Sequence, residues 1–145
     1  MSKRIISLIL AVALVFLLYG CRERVTEADR IADTKIDIGE SELFSTEDRK
    51  SAAQWILDRW SKEKTITKLY SITYAGDEKS MGEQSYYADV DNLSHEEMIV
   101  FYIDFHTCNS DRSEGFNGDS DYDGWTQILG RDNGGEWVFV TGGYA

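Results

Sequence analysis

Between Ile99 and Thr107 the chain alternates without a break. Ile99, Phe101, Ile103 and Phe105 fall on one side, and Val100, Tyr102, Asp104 and His106 on the other. A period of two is that of a β-strand, and a strand with one wholly apolar face must lie against a core. Ala52, Ala53, Ile56, Leu57 and Trp60 offer the partner surface, recurring at helical spacing with Trp55 on the flank. Ser45, followed by Thr46-Glu47-Asp48, is a helix start: a hydroxyl N-cap with acids in the first turn, where they complement the positive helix end. The helix runs about four turns toward Lys62 and Lys64.

The rest of the chain reads as strands. Ile66–Tyr74 is rich in Ile, Thr and Tyr and stops at Ala75-Gly76-Asp77. A weaker extended segment surrounds Tyr86-Tyr87. Trp125–Arg131 and Glu136–Thr141 flank Asp132-Asn133-Gly134-Gly135, a strong hairpin signal. One amphipathic helix followed by such strands predicts an α+β domain, the helix packed on one face of an antiparallel sheet. Ordered structure is expected over residues 36–145, preceded by a charged tether over 21–35.

The beginning of the chain follows a different logic. Lys3 and Arg4 precede Ile5–Tyr19, fifteen residues without a charge. A spanning helix needs about 20 apolar residues, whereas a basic start, a short apolar helix and a small residue at its end describe a secretory signal peptide over residues 1–20. Leu18-Tyr19-Gly20-Cys21 resembles the bacterial lipobox. The resemblance implies that the chain is cut before Cys21 and that the Cys21 thiol carries diacylglycerol. Two acyl chains hold a protein stably on a bilayer where one does not. The expected location is the cell membrane, lipid-anchored and facing away from the cytoplasm.

Loss of residues 1–20 removes two of 15 basic residues and none of the 26 acidic ones, leaving a net charge of −13 on 125 residues. Such a chain repels phosphate backbones, which argues against nucleic-acid binding. Four Trp, eight Tyr and six Phe supply enough apolar surface for a core. With Cys21 acylated, Cys108 stands alone and no intramolecular disulfide is available.

Ile36-Asp37-Ile38-Gly39-Glu40-Ser41, then Phe44-Ser45 and the helix, resembles the opening of a domain of unknown function found in small lipoproteins and secreted proteins of Gram-positive bacteria. Trp125, Leu129, Arg131, Gly134-Gly135-Glu136-Trp137 and Gly143-Tyr144 agree at the other end. The resemblance implies a cystatin-like fold of the ketosteroid-isomerase or nuclear-transport-factor type, a cone of curved sheet around a helix. It brings no established activity and no catalytic residues.

Three constellations carry candidate chemistry. Asp119-Ser120-Asp121-Tyr122-Asp123-Gly124 copies the first half of a calcium loop, with carboxylates Asp119, Asp121 and Asp123 at alternate positions and a glycine sixth. The twelfth position is Gly130, so the bidentate acid is missing. A solvated acidic loop is the stronger reading, with weak calcium binding, helped by Asp111 and Glu114, left as an option. Asp104, His106 and Cys108, two residues apart on one strand face, are the raw material of nucleophilic catalysis, with Tyr102 beside them as an acid–base group. Successive members are about 7 Å apart, whereas catalytic partners hydrogen-bond at about 3 Å. Tyr70, Tyr74, Tyr86, Tyr87, Tyr102, Trp125, Trp137 and Phe139 could line a pocket mouth or simply pack. The leading expectation is a non-catalytic extracytoplasmic domain that binds a protein, peptide or small ligand. A small pocket enzyme and an immunity or inhibitor lipoprotein against a cationic peptide or toxin are the alternatives.

Overall fold

The computed structural model describes residues 25–109 and 115–144. The expected signal peptide, Cys21, Asp111 and Glu114 fall outside the described residues. In chain order the elements are α1 (Glu27–Ile31), β1 (Lys35–Asp37), α2 (Thr46–Ser61), β2 (Ile66–Tyr74), α3 (Asp77–Tyr87), β3 (Glu97–Thr107), β4 (Asp121–Arg131) and β5 (Val138–Gly143). The protein is α+β, with five strands in one curved, unclosed sheet ordered β1-β2-β3-β4-β5. Among the described residues no helix is long and apolar enough to cross a membrane.

The alternation in β3 does what its period requires. Ile99, Phe101, Ile103 and Phe105 are fully buried in the main core, together with Leu69 and Ile72 of β2 and Leu129 of β4. Helix α2 covers that face with Ala52, Ala53, Ile56 and Trp60. Its start is a reciprocal cap: the Asp48 N–H donates to Ser45 Oγ at 3.1 Å, and the Ser45 N–H donates to the Asp48 carboxylate at 3.2 Å. Trp60 Nε1 donates to Gln127 Oε1 at 3.1 Å, a hydrogen bond buried between helix and sheet. Gly142, opposite Gln127 on β5, makes room for it: a Cβ there would lie 2.6 Å from Gln127 Nε2. At the other end of α2, Arg131 donates to Asp48 at 2.5 Å and Glu97 at 2.7 Å while lying over the Trp137 ring.

The structure departs from the sequence expectation in three places. The sheet is mixed rather than antiparallel, because β1 runs parallel to β2, Ile36 facing Ile72. The intervening segment contains α2, and a crossover helix is what allows the chain to return in the same direction. Tyr86 and Tyr87 are not extended but close α3, a second helix. That helix lies over the opposite sheet face, where Met98, Val100, Ile128 and Val140 form a smaller core flanked by Ala75, Tyr87 and Leu93. Its only fully buried residue is Ser80, whose hydroxyl donates to the Gly76 carbonyl at 3.0 Å and accepts from the Val100 N–H at 3.2 Å. A helix attached through a serine shows no apolar stripe, so its sequence is silent.

The third departure is at the domain boundary. Residues 25–35, read as tether, are folded onto the domain. Thr26 caps α1 through Asp29, and Arg30, 9% exposed, donates to the Ile66 carbonyl at 3.0 Å and the Ser61 carbonyl at 3.2 Å. Thr34 Oγ1 donates to the Leu69 carbonyl at 2.9 Å, and Lys68 pairs with Asp33 at 2.7 Å. Arg30→Ala leaves two carbonyls without their charged donor and is expected to destabilise the protein by about 1–3 kcal/mol. Urea unfolding checks this, with Lys35→Ala, on an exposed strand, expected to change stability by less than about 0.5 kcal/mol.

Candidate functional site

The polar side of β3 carries Tyr102, Asp104 and His106, all half-buried. The three share a sheet face, as their spacing requires, but the structure does not join them. Asp104 sits opposite a bulge, where Asp123 and Gly124 stand against a single residue of β3. Gly124 has φ +68°, a left-handed backbone that favours glycine, and its N–H donates to Asp104 Oδ1 at 2.7 Å. Ser71 Oγ donates to Asp104 Oδ2 at 2.6 Å. Both carboxylate oxygens therefore hold the bulge and the β2–β3 register rather than orient His106.

His106 is taken up by other acids. Its Nδ1 lies 2.8 Å from Asp121 Oδ1 and its Nε2 lies 3.1 Å from Asp119 Oδ1. Two carboxylates on the two ring nitrogens are both satisfied only by the doubly protonated imidazolium. Tyr70 Oη donates to the same Asp121 oxygen at 3.1 Å. The hydrogen bond that His106 donates to Asp121, with a second to Asp119, raises the His106 pKa against the opposing effect of burial. The same bond from His106, followed by that from Tyr70, lowers Asp121. Burial first, and then the Asp121 carboxylate, raises Tyr70.

This cluster ties the 115–120 segment to the sheet, aided by Thr107, whose hydroxyl donates to the Asn117 carbonyl at 2.7 Å and accepts from the Ser120 N–H at 2.9 Å. Asp119 and Asp121, weighed in the sequence as an optional weak calcium site, are engaged with His106, and Asp121 and Asp123 already lie in strand β4 rather than in a coiled loop. Among the described residues no three His, Cys, Asp or Glu side chains converge as a metal-binding group. Cys108 lies just beyond β3, its Sγ 3.6 Å from the Asn109 carbonyl and not on His106.

A concave feature lies elsewhere. A cleft of about 550 Å³ opens between α3 and the β4–β5 half of the sheet. Thr126, Ile128 and Gly143 lie along its floor, Tyr86 and Tyr87 rise from α3, and Tyr144 stands at the end of β5. Lys79 and Glu83, one helical turn apart on α3, line it as an ion pair at 2.7 Å; the Glu83 hydrogen bond raises the Lys79 pKa. Thr126 is 2% exposed, and its Oγ1 is a buried polar atom without a hydrogen-bond partner. Leaving such a hydroxyl unpaired costs about 1–3 kcal/mol.

Of the aromatic residues singled out in the sequence, Tyr86 and Tyr87 reach this cleft. Tyr74 and Trp137 are core residues, and Trp125 packs against Phe105, Phe116 and Tyr122. Sequence reasoning missed Lys79, Glu83 and Thr126 because the helix facing the sheet was itself unread. It also missed the partners of His106, for which the available signal was the β3–β4 pairing that sets Asp121 opposite His106. Comparison with protein-family models, curated proteins and solved structures found no match to this chain.

The His106 cluster has a definite pH signature. A raised pKa means that its stabilising contribution is full below the unfolded histidine value of about 6.5 and fades as pH rises through the folded value. The lowered Asp121 contributes fully above about 3.9, and its share fades as pH falls through its folded value. The window is therefore bounded by acid below and by histidine deprotonation above. Wild-type protein is expected to exceed His106→Gln in stability at pH 5.5 by up to about 1 kcal/mol, the scale of part-exposed pairs. At pH 8.5 most of that gap should be gone, as read from urea midpoints at the two pH values.

Proposed function

We propose that this protein is a non-catalytic binding domain, held on the outer side of a bacterial cell membrane by diacylglycerol on Cys21. The observation that carries the binding reading is the separation of chemistry from concavity. Asp104, His106 and Tyr102 do not line the cleft, and the carboxylate and imidazole are engaged in bonds that hold strands and a loop. The cleft instead offers the Tyr86 and Tyr87 rings and a neutralised ion pair. These are groups that recognise a ligand, with no activated nucleophile among them.

The anchoring half of the reading rests on the basic start, the short apolar run and Leu18-Tyr19-Gly20-Cys21. The folded N-terminal segment gives it a spatial consequence. Val25 follows Cys21 by four residues, at most about 14 Å of extended chain, so the domain stays close to the lipid headgroups. A single four-turn helix across one face of a curved sheet supports the cystatin-like cone as the architecture. Growth of a bacterial host expressing the protein on an alkyne-bearing palmitate analogue should label the wild-type chain and leave Cys21→Ala unlabelled. An unlabelled wild type, or label retained by Cys21→Ala, removes the anchor.

A further inference from the structure

We propose that His106 is a pH-operated latch. Doubly protonated, it pins Asp119 and so holds residues 115–120 against the rings of Phe105, Tyr122 and Trp125; loss of one proton frees Asp119 and loosens that segment. The proposal stands apart from the binding reading above and does not depend on it.

The two carboxylates on the ring come from parts of the fold that differ in freedom. Asp121 belongs to β4, stands opposite His106 in the ladder, and accepts from Tyr70 Oη through the same oxygen at 3.1 Å. Asp119 lies before the strand, its side chain 87% exposed, with a left-handed backbone of φ +50° that is uncommon outside glycine. An imidazolium has an N–H for each acid, whereas a neutral imidazole has one. The remaining proton stays on Nδ1, in the shorter contact of 2.8 Å with the better-held Asp121. Nε2 then turns a lone pair toward the Asp119 carboxylate at 3.1 Å, where a hydrogen bond had been. Of the two acids, Asp119 is the one with room to move away.

The other groups around the ring leave this contest to the two acids. On β2, Lys68 is in register with His106, but its ammonium is on Asp33 at 2.7 Å. On β3 itself, Asp104 is held by Ser71 Oγ and the Gly124 N–H. On β4, Asp123 is an exposed carboxylate whose charge acts on Tyr70. Asp119 and Asp121 are not metal ligands, since no three His, Cys, Asp or Glu side chains converge among the described residues.

What the latch holds is an aromatic contact. Phe116, three residues before Asp119, packs with ring centroids 5.4 Å from Phe105, 5.1 Å from Tyr122 and 5.3 Å from Trp125. Tyr122 and Trp125 are half-buried and gain exposure when Phe116 leaves. Other bonds persist: the Asp119 N–H donates to the Cys108 carbonyl at 2.7 Å and the Asn117 N–H to Tyr122 Oη at 2.8 Å. Deprotonation therefore shifts the balance between closed and open forms rather than releasing the segment outright. A part-exposed charged contact moves such a balance by up to about fivefold.

The test places 4-fluorophenylalanine at position 116 of the full chain in lipid nanodiscs and follows its fluorine NMR signal from pH 5.5 to 8.5. The His106 ring carbons are titrated in parallel. The open fraction, read from the averaged shift and from the change on moving from water to deuterium oxide, should rise by up to about fivefold. Its midpoint should be that of His106. His106→Gln and Asp119→Asn should both lie toward the open value and be flat with pH. A position-116 signal that ignores pH while His106 titrates overturns the latch. So does an undiminished titration in Asp119→Asn, an exposed substitution that keeps the test available should His106→Gln fail to fold.

Discussion

The hydrogen bond from Trp60 to Gln127 sets the position of everything around it. Inside a core, a donor and an acceptor must meet or each loses its hydration without return. Here the indole N–H of α2 finds the amide oxygen of β4 and thereby fixes the helix along the sheet. The amide's other end donates to the Thr126 carbonyl at 3.0 Å, so Gln127 has little freedom to turn. Gly142 is then required across the strand, where even a methyl group would strike the amide. One polar pair thus dictates a helix position, a rotamer and a glycine.

The two ends of α2 are held by arginines acting on different chemistry. Arg131 answers carboxylates at the start of the helix, and its bonds to Glu97 and Asp48 raise its already high pKa further. They also pull Asp48 below the usual carboxylate range, Arg131 first and Ser45 second. Arg49, 6% exposed, donates to the Ile38 and Gly39 carbonyls and draws the segment after β1 onto the helix. Arg30 does the corresponding work at the far end, on carbonyls of Ser61 and Ile66. In a chain so rich in acid, arginines at the joints fasten main-chain oxygens as well as carboxylates, which a planar guanidinium with five donors suits.

How much of this could be read beforehand depends on which physical signal each part leaves in the sequence. The β3 alternation, the Ser45 cap and the Asp132–Gly135 turn were legible because each rests on local periodicity or local backbone demands. In the turn, Asn133 and Gly134 both have positive φ and the Gly135 N–H donates to the Asp132 carbonyl at 3.0 Å. Helix α3 was not legible, since Ser80 rather than an apolar row attaches it. Arg30 looked like solvated charge because burial of an arginine depends on carbonyls about thirty positions away in the chain. The acid–base candidates were placed on the right face but with the wrong partners. A bulge at Gly124 decides which carboxylates reach His106, and no spacing rule on β3 alone contains that information.

The docking of α1 also bears on how the domain would respond to being pulled. If Cys21 holds lipid, tension on the anchor reaches the fold six residues on, at α1. It is then divided between the Arg30 bonds to the start of β2 and the short parallel ladder of β1 with β2. That ladder lies at the edge of the sheet and is three residues long. The cleft beside α3 lies against the other half, on β4 and β5. Load entering at one margin would then peel β1 while β2, β3 and β4 stay paired, and the N-terminal segment would act as a mechanical fuse ahead of the half of the molecule that carries the cleft.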